Sequence, residues 1–320
     1  MNILIVRNDK LGDFITALPT FWVVKNYDPT NRVIALVAPL NEELARSCEF
    51  IDDVIVDRQE DIFHLTQEIK SKNIDLSITL FSNTRVAFAQ FLSGIKTRVA
   101  PATKIAQIFY NKKVKQKRSQ VKMAEFEYNL ELAKTAFDGI DTDYPKPLCS
   151  FSDAKEVYES FCKDLNITKK VIAFHVGFGG SSDANYSLDE YVEMVTTTLE
   201  KKDIDVVLTF GPDEEELCAT MQERLKGFDV KFYLSKGGIV EFAKILSGFS
   251  LFVSTSTGTY HLASMVGTPT LTFFADTLFA SAKRWKSIGD ERKQTHYMLP
   301  EDKMKRKEIL KEVKEVLLTF

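Results

Sequence analysis

Short apolar, β-branched runs recur along the chain, and longer stretches with apolar residues at helical spacing lie between most of them. In the first half the runs are NILIV (2–6), RVIALVA (32–38), DVIV (53–56), DLSITL (75–80) and TRVA (97–100). After DTDYPKP (141–147) the pattern restarts with KVIAFHV (170–176), DIDVVLTF (203–210), DVKFYL (229–234), LFVST (251–255) and PTLTFF (269–274). Such alternation predicts an α/β fold, a parallel sheet with helices on both faces. Its repetition predicts two Rossmann-like domains facing each other across a cleft. The Pro-bearing segment 144–152 is the expected join, giving domains over 1–152 and 153–320, with helix 153–164 able to belong to either. The final EDKMKRKEILKEVKEVLLTF places Ile309, Val313, Val316 and Leu317 at helical spacing among lysines. It reads as an amphipathic helix that packs on a domain surface, the N-terminal domain included, or lies on a membrane surface.

A chain of 320 residues with 44% hydrophobic content can bury two cores. The net charge of −3 argues against a surface built to hold nucleic acid. Cys48, Cys149, Cys162 and Cys218 are scattered without metal or redox spacing, which suits a reducing compartment. The first apolar run is interrupted by Arg7, Asp9 and Lys10. No stretch reaches the roughly 18 apolar residues a membrane span needs, so a soluble cytoplasmic protein is expected.

Chemistry is expected where strands give way to helices. A nicotinamide-type fingerprint needs three glycines after the first strand, and only Gly12 stands there, which argues against a dehydrogenase. Asp13 follows it in the first turn of a helix, where the macrodipole favours the ionised carboxylate. That carboxylate is a proton acceptor or simply a first-turn residue, and Asp9 is a rival for either role. In FVSTSTGTYHLASMVGTPTLTFF (252–274), Ser256, Thr257, Gly258 and Thr259 bring hydroxyls and free N–H groups to a helix start, which suits a diphosphate or is ordinary capping. His261 lies in the first turn, placed to donate to a phosphate or to the adjoining loop. A third stretch, AFHVGFGGSSDANYSLDEY (173–191), carries His175, Gly177, Gly179 and Gly180 before a capping box made by Ser187 and Glu190. In VVLTFGPDEEEL (206–217), Asp213 is positioned to hold ribose hydroxyls or to complement a helix dipole.

Together, ILIVRNDKLGDFITALP and STSTGTYHLASMVGTPTLTFFAD, with HVGFGG and LTFGPDEEEL between them, resemble the family 9 glycosyltransferases, the lipopolysaccharide heptosyltransferase group. The resemblance implies a GT-B fold with an acceptor-binding N-terminal domain and a C-terminal domain that holds the nucleotide-sugar. It implies Asp13 as the general base, with Lys10 and Gly12 beside it on the acceptor side. The diphosphate is expected at Ser256, Thr257, Gly258 and Thr259 with His261 near, the ribose near Asp213, and the loop of Gly177 and Gly179 after His175 over the donor. The reaction is then a direct displacement with inversion, using no cofactor and no metal. Asp141-Thr142-Asp143 has the form of a metal-binding Asp-x-Asp but follows no strand, and reads as coincidence.

The chain departs from the group twice, with Asn185-Tyr186 in place of a basic residue and tryptophan, and Ser256 in place of an aspartate. The departures keep alternatives open: a family member using a different nucleotide-sugar, or an inactive sugar-nucleotide or glycolipid binding protein. The first reading is heptose transfer from ADP-heptose to a phosphorylated glycolipid at the inner face of the bacterial inner membrane. Lys112, Lys113, Lys115, Lys117, Arg118 and Lys122 crowd one segment. It reads either as a solvated loop or as a dock for that acceptor, through Lys112, Lys113 and Arg118, and for the anionic membrane surface around it.

Overall fold

The computed structural model describes residues 1–59, 61–177 and 184–320, and the chain divides into two units, Met1–Pro145 and Lys146–Phe320. The division falls before the 152/153 join expected from sequence, so helix 154–164 belongs to the second unit.

The first unit runs β1 (Asn2–Arg7), α1 (Leu11–Tyr27), β2 (Arg32–Val37), α2 (Glu42–Ser47), β3 (Asp53–Val56), α3 (Ile62–Ser71), β4 (Leu76–Thr79), α4 (Thr84–Leu92), β5 (Thr97–Pro101), β6 (Lys112–Val114) and α5 (Glu125–Ala136). Its sheet is parallel throughout, in the order β3-β2-β1-β4-β5-β6. The central β1 pairs Ile3 with Val33 on one side and Leu76 on the other. Helices cover both faces, which is why Ile3, Leu4, Ile5 and Val6 are all fully buried and the strand reads as an unbroken apolar run.

The second unit repeats this plan with α6 (Ala154–Asp164), β7 (Lys170–His175), α7 (Leu188–Thr198), β8 (Ile204–Phe210), α8 (Glu215–Arg224), β9 (Val230–Leu234) and α9 (Gly238–Leu246). It continues with β10 (Leu251–Thr255), α10 (Gly258–Met265), β11 (Thr270–Ala275), α11 (Ala282–Trp285), β12 (Gln294–Leu299) and α12 (Lys303–Thr319). The parallel sheet is ordered β12-β11-β10-β7-β8-β9. Ser187 caps α7 in the expected box, accepting from the Glu190 N–H at 3.3 Å while the Glu190 carboxylate takes the Ser187 N–H at 2.7 Å.

Two strands were not expected. β6 lies inside the basic segment, which is therefore partly sheet rather than loop, and β12 forms the far edge of the second sheet. The terminal helix also finds one place: Leu310, Val313 and Leu317 of α12 are buried in the core of the second unit, beside α7. That apolar face is buried within its own unit. The four cysteines form no disulfide.

Candidate active site

Each sheet has the order 3-2-1-4-5-6, so the chain changes direction of travel at β1 and β4 in the first unit and at β7 and β10 in the second. Ligands of doubly wound sheets bind beyond the carboxyl ends of the strands at such a switch point. Of the predicted residues, Asp13, His175, Gly177 and the Ser256–Thr259 run lie at or just after the ends of β1, β7 and β10, whereas Asp213 follows β8 and Lys112 and Lys113 sit on the edge strand β6.

In the first unit, β1 ends in Arg7, whose side chain is 3% exposed and is held by three carboxylates. Its Nε donates to Asp9 at 2.8 Å, one terminal nitrogen donates to Asp13, and the other lies 3.4 Å from Glu125 of α5. Burial alone would lower the Arg7 pKa. The attraction of Asp9, Asp13 and Glu125 outweighs it and holds the pKa above the ordinary arginine value. The guanidinium also lies 5.8 Å from the centre of the Phe81 ring, in the segment that leaves β4. Arg118 donates to Glu125 and, through Nε, to Gln116 at 2.9 Å.

Asp9, Asp13 and Glu125 thus crowd around the Arg7 guanidinium, with Arg118 also on Glu125. The cost falls on Asp9, pushed up to about 6 by burial and by Asp13 although Arg7 opposes the shift. Asp13 is the more open of the pair at the turn, with its side chain 20% exposed against 17% for Asp9 and 4% for Glu125. It stands in the first turn of α1 after Lys10, the exposed N-cap, and Gly12. The helix begins at Leu11, so the Gly12-Asp13 pair is already inside it.

Lys112 and Lys113 are exposed on β6. Arg118 does not join them as an acceptor-facing cation. It turns inward to the carboxylate cluster and stacks 5.5 Å from the Tyr128 ring. Sequence reasoning took Arg7 only as an interruption of an apolar run; its role depends on Glu125, 118 residues away.

In the second unit, His175 ends β7 and is buried, its Nδ1 sharing a hydrogen bond of 3.1 Å with the Thr209 hydroxyl. Burial lowers its pKa, against the pull of the nearby Glu214. The Glu214 carboxylate lies 3.9 Å from His175 Nε2 and accepts the Gly211 N–H at 2.7 Å. It also lies against Gly177: a Cβ there would fall 1.8 Å from Glu214 Oε1. Asp213, the acid singled out for ribose, is exposed, and Glu214 is the one that turns in. Gly179 lies outside the described residues.

At the end of β10, Thr257 is the N-cap of α10, with its hydroxyl 2.9 Å from that of Thr259. Ser256 is half-buried, and its N–H is taken by the Phe273 carbonyl at 2.9 Å. The orphan N–H groups of the first turn, from Gly258 onward, make this end electropositive. His261 is buried with its Nδ1 3.1 Å from the Ser287 hydroxyl, and burial together with His296 brings its pKa down to about 3. It is therefore neutral near pH 7 and supplies no positive charge to a phosphate.

His296, given no role from sequence, bonds the Tyr260 hydroxyl at 3.0 Å, and that hydroxyl accepts the Ser287 N–H at 2.8 Å. This network clamps α10 to segment 287–289 and to β12. It fixes where the helix terminus points. At Asn185-Tyr186 an arginine arrives from α12: Arg306 donates to the Asn185 carbonyl and lies 5.4 Å from the Tyr186 ring.

Among the described residues no three His, Cys, Asp or Glu side chains converge as a metal site, and no helix is long and apolar enough to cross a membrane. Asp141 and Asp143 form a local turn, the Asp143 N–H donating to the Asp141 carboxylate at 3.0 Å.

Known proteins share this architecture. The family model described as glycosyltransferase family 9 (heptosyltransferase) matches residues 62–316. A Haemophilus influenzae protein named "Putative glycosyltransferase" is 38% identical over 312 residues, 94% of this chain and 90% of that one. Among solved structures, E. coli ADP-heptose LPS heptosyltransferase II aligns over 100% of this chain and 99% of its own, with 14% identity and a TM-score of 0.81. E. coli heptosyltransferase WaaC, solved with ADP, aligns over 98% of this chain and 100% of its own, with 19% identity and a TM-score of 0.73. The two sheets and their helices match the GT-B architecture of these structures.

Proposed function

The chain belongs to glycosyltransferase family 9, the heptosyltransferase family, and is a glycosyltransferase; from that premise we propose that it moves heptose from ADP-heptose onto a lipid A-linked lipopolysaccharide core acceptor. The acceptor is a phosphorylated glycolipid, and the enzyme works at the inner face of the bacterial inner membrane. The ADP found in WaaC and the ADP-heptose in the name of heptosyltransferase II support the choice of donor.

The observation that carries the chemistry is the Asp13 carboxylate, partly open in the first turn of α1 and tied to the buried Arg7. An acceptor hydroxyl attacks the anomeric carbon from the face opposite the nucleotide. Asp13 takes its proton as the new C–O bond forms and the bond to the diphosphate breaks, so the configuration inverts. The departing ADP gathers negative charge, met by the N–H groups that open α10 and by the hydroxyls of Thr257 and Thr259. In this reading Glu214, beside His175 and Gly177, accepts from donor ribose hydroxyls. The scheme uses no metal and no cofactor. Lys10, Gly12, Lys112 and Lys113 are the acceptor-side residues in this reading.

The test has two arms, calorimetric titration with ADP, GDP, UDP, dTDP and CMP, and turnover of ADP-heptose with a de-acylated core acceptor. ADP is expected to bind in preference to the others without added metal. Asp13→Asn is expected to keep that affinity while losing about three orders of magnitude in turnover. A preference for another nucleotide would move the donor; undiminished turnover in Asp13→Asn would remove the base.

A further inference from the structure

We propose that the first unit carries a membrane-docking surface on α4 and the short 3₁₀ turn Ile105–Phe109, and that its occupant is an anionic lipid bilayer. Helix α4 exposes Phe88, Phe91 and Leu92, at spacings of three and four residues that put them on one face. The 3₁₀ turn exposes Ile105 and Ile108, three apart and so aligned, at 74% and 67%.

The two elements form one platform. The Phe109 ring lies 5.1 Å from Phe88 and 5.9 Å from Phe91. Beneath it, Ala87, Ala100, Ala106 and Tyr110 form a small buried cluster that fixes the turn to α4 and β5. Arg98 reinforces the seam, its guanidinium 5.5 Å from the Phe91 ring and its Nε donating to the Phe109 carbonyl at 2.7 Å. A rigid base holding five large apolar side chains in water marks an interaction site rather than scattered surface hydrophobes.

Charge identifies the partner. Residues 76–124 contain ten Lys or Arg and no Asp or Glu, in a chain whose net charge is −3. The lysines of this stretch are exposed and, among the described residues, none is in an ion pair. Lys104 immediately precedes the 3₁₀ turn, and Lys112 and Lys113 follow it on β6. An apolar face whose own segments carry exposed lysines and no acid suits a negatively charged lipid surface, with the rings among the acyl chains and the lysines at the headgroups. An acidic protein groove would take the cations but not require so broad an apolar face. The alternative anchor, α12, has its apolar side buried.

The inference rests on the proposed reaction only in that a glycolipid acceptor brings the enzyme to a membrane. The experiment is flotation of the full chain with acceptor-free vesicles of phosphatidylcholine, alone or mixed with phosphatidylglycerol. The chain is expected to float with the mixed vesicles and to be released by high salt. Phe91→Ser/Ile108→Ser is expected to weaken vesicle binding about tenfold or more while leaving the chain folded and ADP affinity unchanged. Lys96→Glu/Lys104→Glu should weaken it on the mixed vesicles alone. Equal flotation with neutral vesicles, or double variants that float as the parent does, would overturn the proposal. So would a parent dimer, unbound to vesicles, that the Phe91→Ser/Ile108→Ser change dissociates, since the occupant is then a second copy. ADP titration is read separately: a chain that floats but ignores ADP loses the donor assignment and keeps the surface, and the converse result does the reverse.

Discussion

Arg7 donates to Asp13 across the turn from β1 to α1 while itself only 3% exposed, so the carboxylate assigned as base is positioned by a cation that water barely reaches. The same guanidinium holds Asp9 and Glu125, and no other side chain could satisfy three acids in these directions. Arg7→Lys keeps the charge and loses the fork. It is expected to fold, with turnover down by about 10- to 100-fold through loss of Asp13 alignment and with ADP affinity unchanged. Arg7→Met takes the guanidinium from Asp9 and Asp13 and should cost up to about 3 kcal/mol of stability, read by urea denaturation. A lysine variant with parental kcat would show that Asp13 needs no such support.

Glu214 and Gly177 make the second prediction. In Gly177→Ala the new methyl meets the far end of a flexible side chain, so the fold should survive with little change in melting temperature. The carboxylate must swing away from His175 and Gly211 to make room. If Glu214 holds the donor, ADP affinity falls by about tenfold in this variant and by a similar factor in Glu214→Ala. Parental affinity in both would confine Glu214 to capping the turn at Gly211.

Most strands were legible because both faces of each sheet are covered, which turns a buried strand into a continuous β-branched run. β6 and β12 escaped that logic. β6 is three residues long and begins Lys112-Lys113, while β12 mixes Gln294, Thr295 and His296 with apolar residues, as edge strands do. The positions of Asp13 in the first turn of α1 and of Thr257 at the start of α10 were legible because a strand-to-helix turn is a local pattern. Arg7 and Glu125 were not, and Arg118 was read as facing an acceptor, since their grouping exists only once α5 packs against α1. The choice between Asp213 and Glu214 hung on one turn, closed by the Glu214 N–H on the Gly211 carbonyl at 3.1 Å. No periodicity encodes which of two adjacent acids faces inward.

The response to pH should set the buried histidines, His261 together with His175 and His296, against Asp9. His261 has its pKa brought down to about 3, so below its ordinary value the unfolded chain takes up a proton that the folded chain refuses, and stability falls as pH falls. Between about pH 7 and pH 5 this amounts to a loss of roughly 2 kcal/mol. Asp9 is pushed up to about 6, so over the same interval the folded state holds the extra proton and stability rises as pH falls, by roughly 1 kcal/mol. Asp9→Asn is therefore expected to steepen the loss on acidification, and His261→Gln to reduce it, with His175 and His296 still contributing. Urea denaturation at the two pH values measures both slopes; parallel slopes in all three proteins would contradict the assigned protonation states.

Two glycines of the second unit separate stability from donor binding. A Cβ on Gly289 would lie 2.4 Å from the Ser264 backbone carbonyl oxygen, which cannot move without shifting α10. A Cβ on Gly248 would lie 2.4 Å from the Tyr158 ring, which belongs to α6. Overpacking at either position should cost about 1–3 kcal/mol. The functional consequences differ because segment 287–289 is the part of the clamp that holds Tyr260, His261 and Ser264. Gly289→Ala is expected to weaken ADP binding as well as stability by turning the α10 terminus off its line. Gly248→Ala should lower the melting temperature to a comparable degree and leave ADP affinity intact at temperatures where both variants are folded. Equal loss of ADP binding in the two would mean that global loosening, and not the direction of α10, governs the donor site.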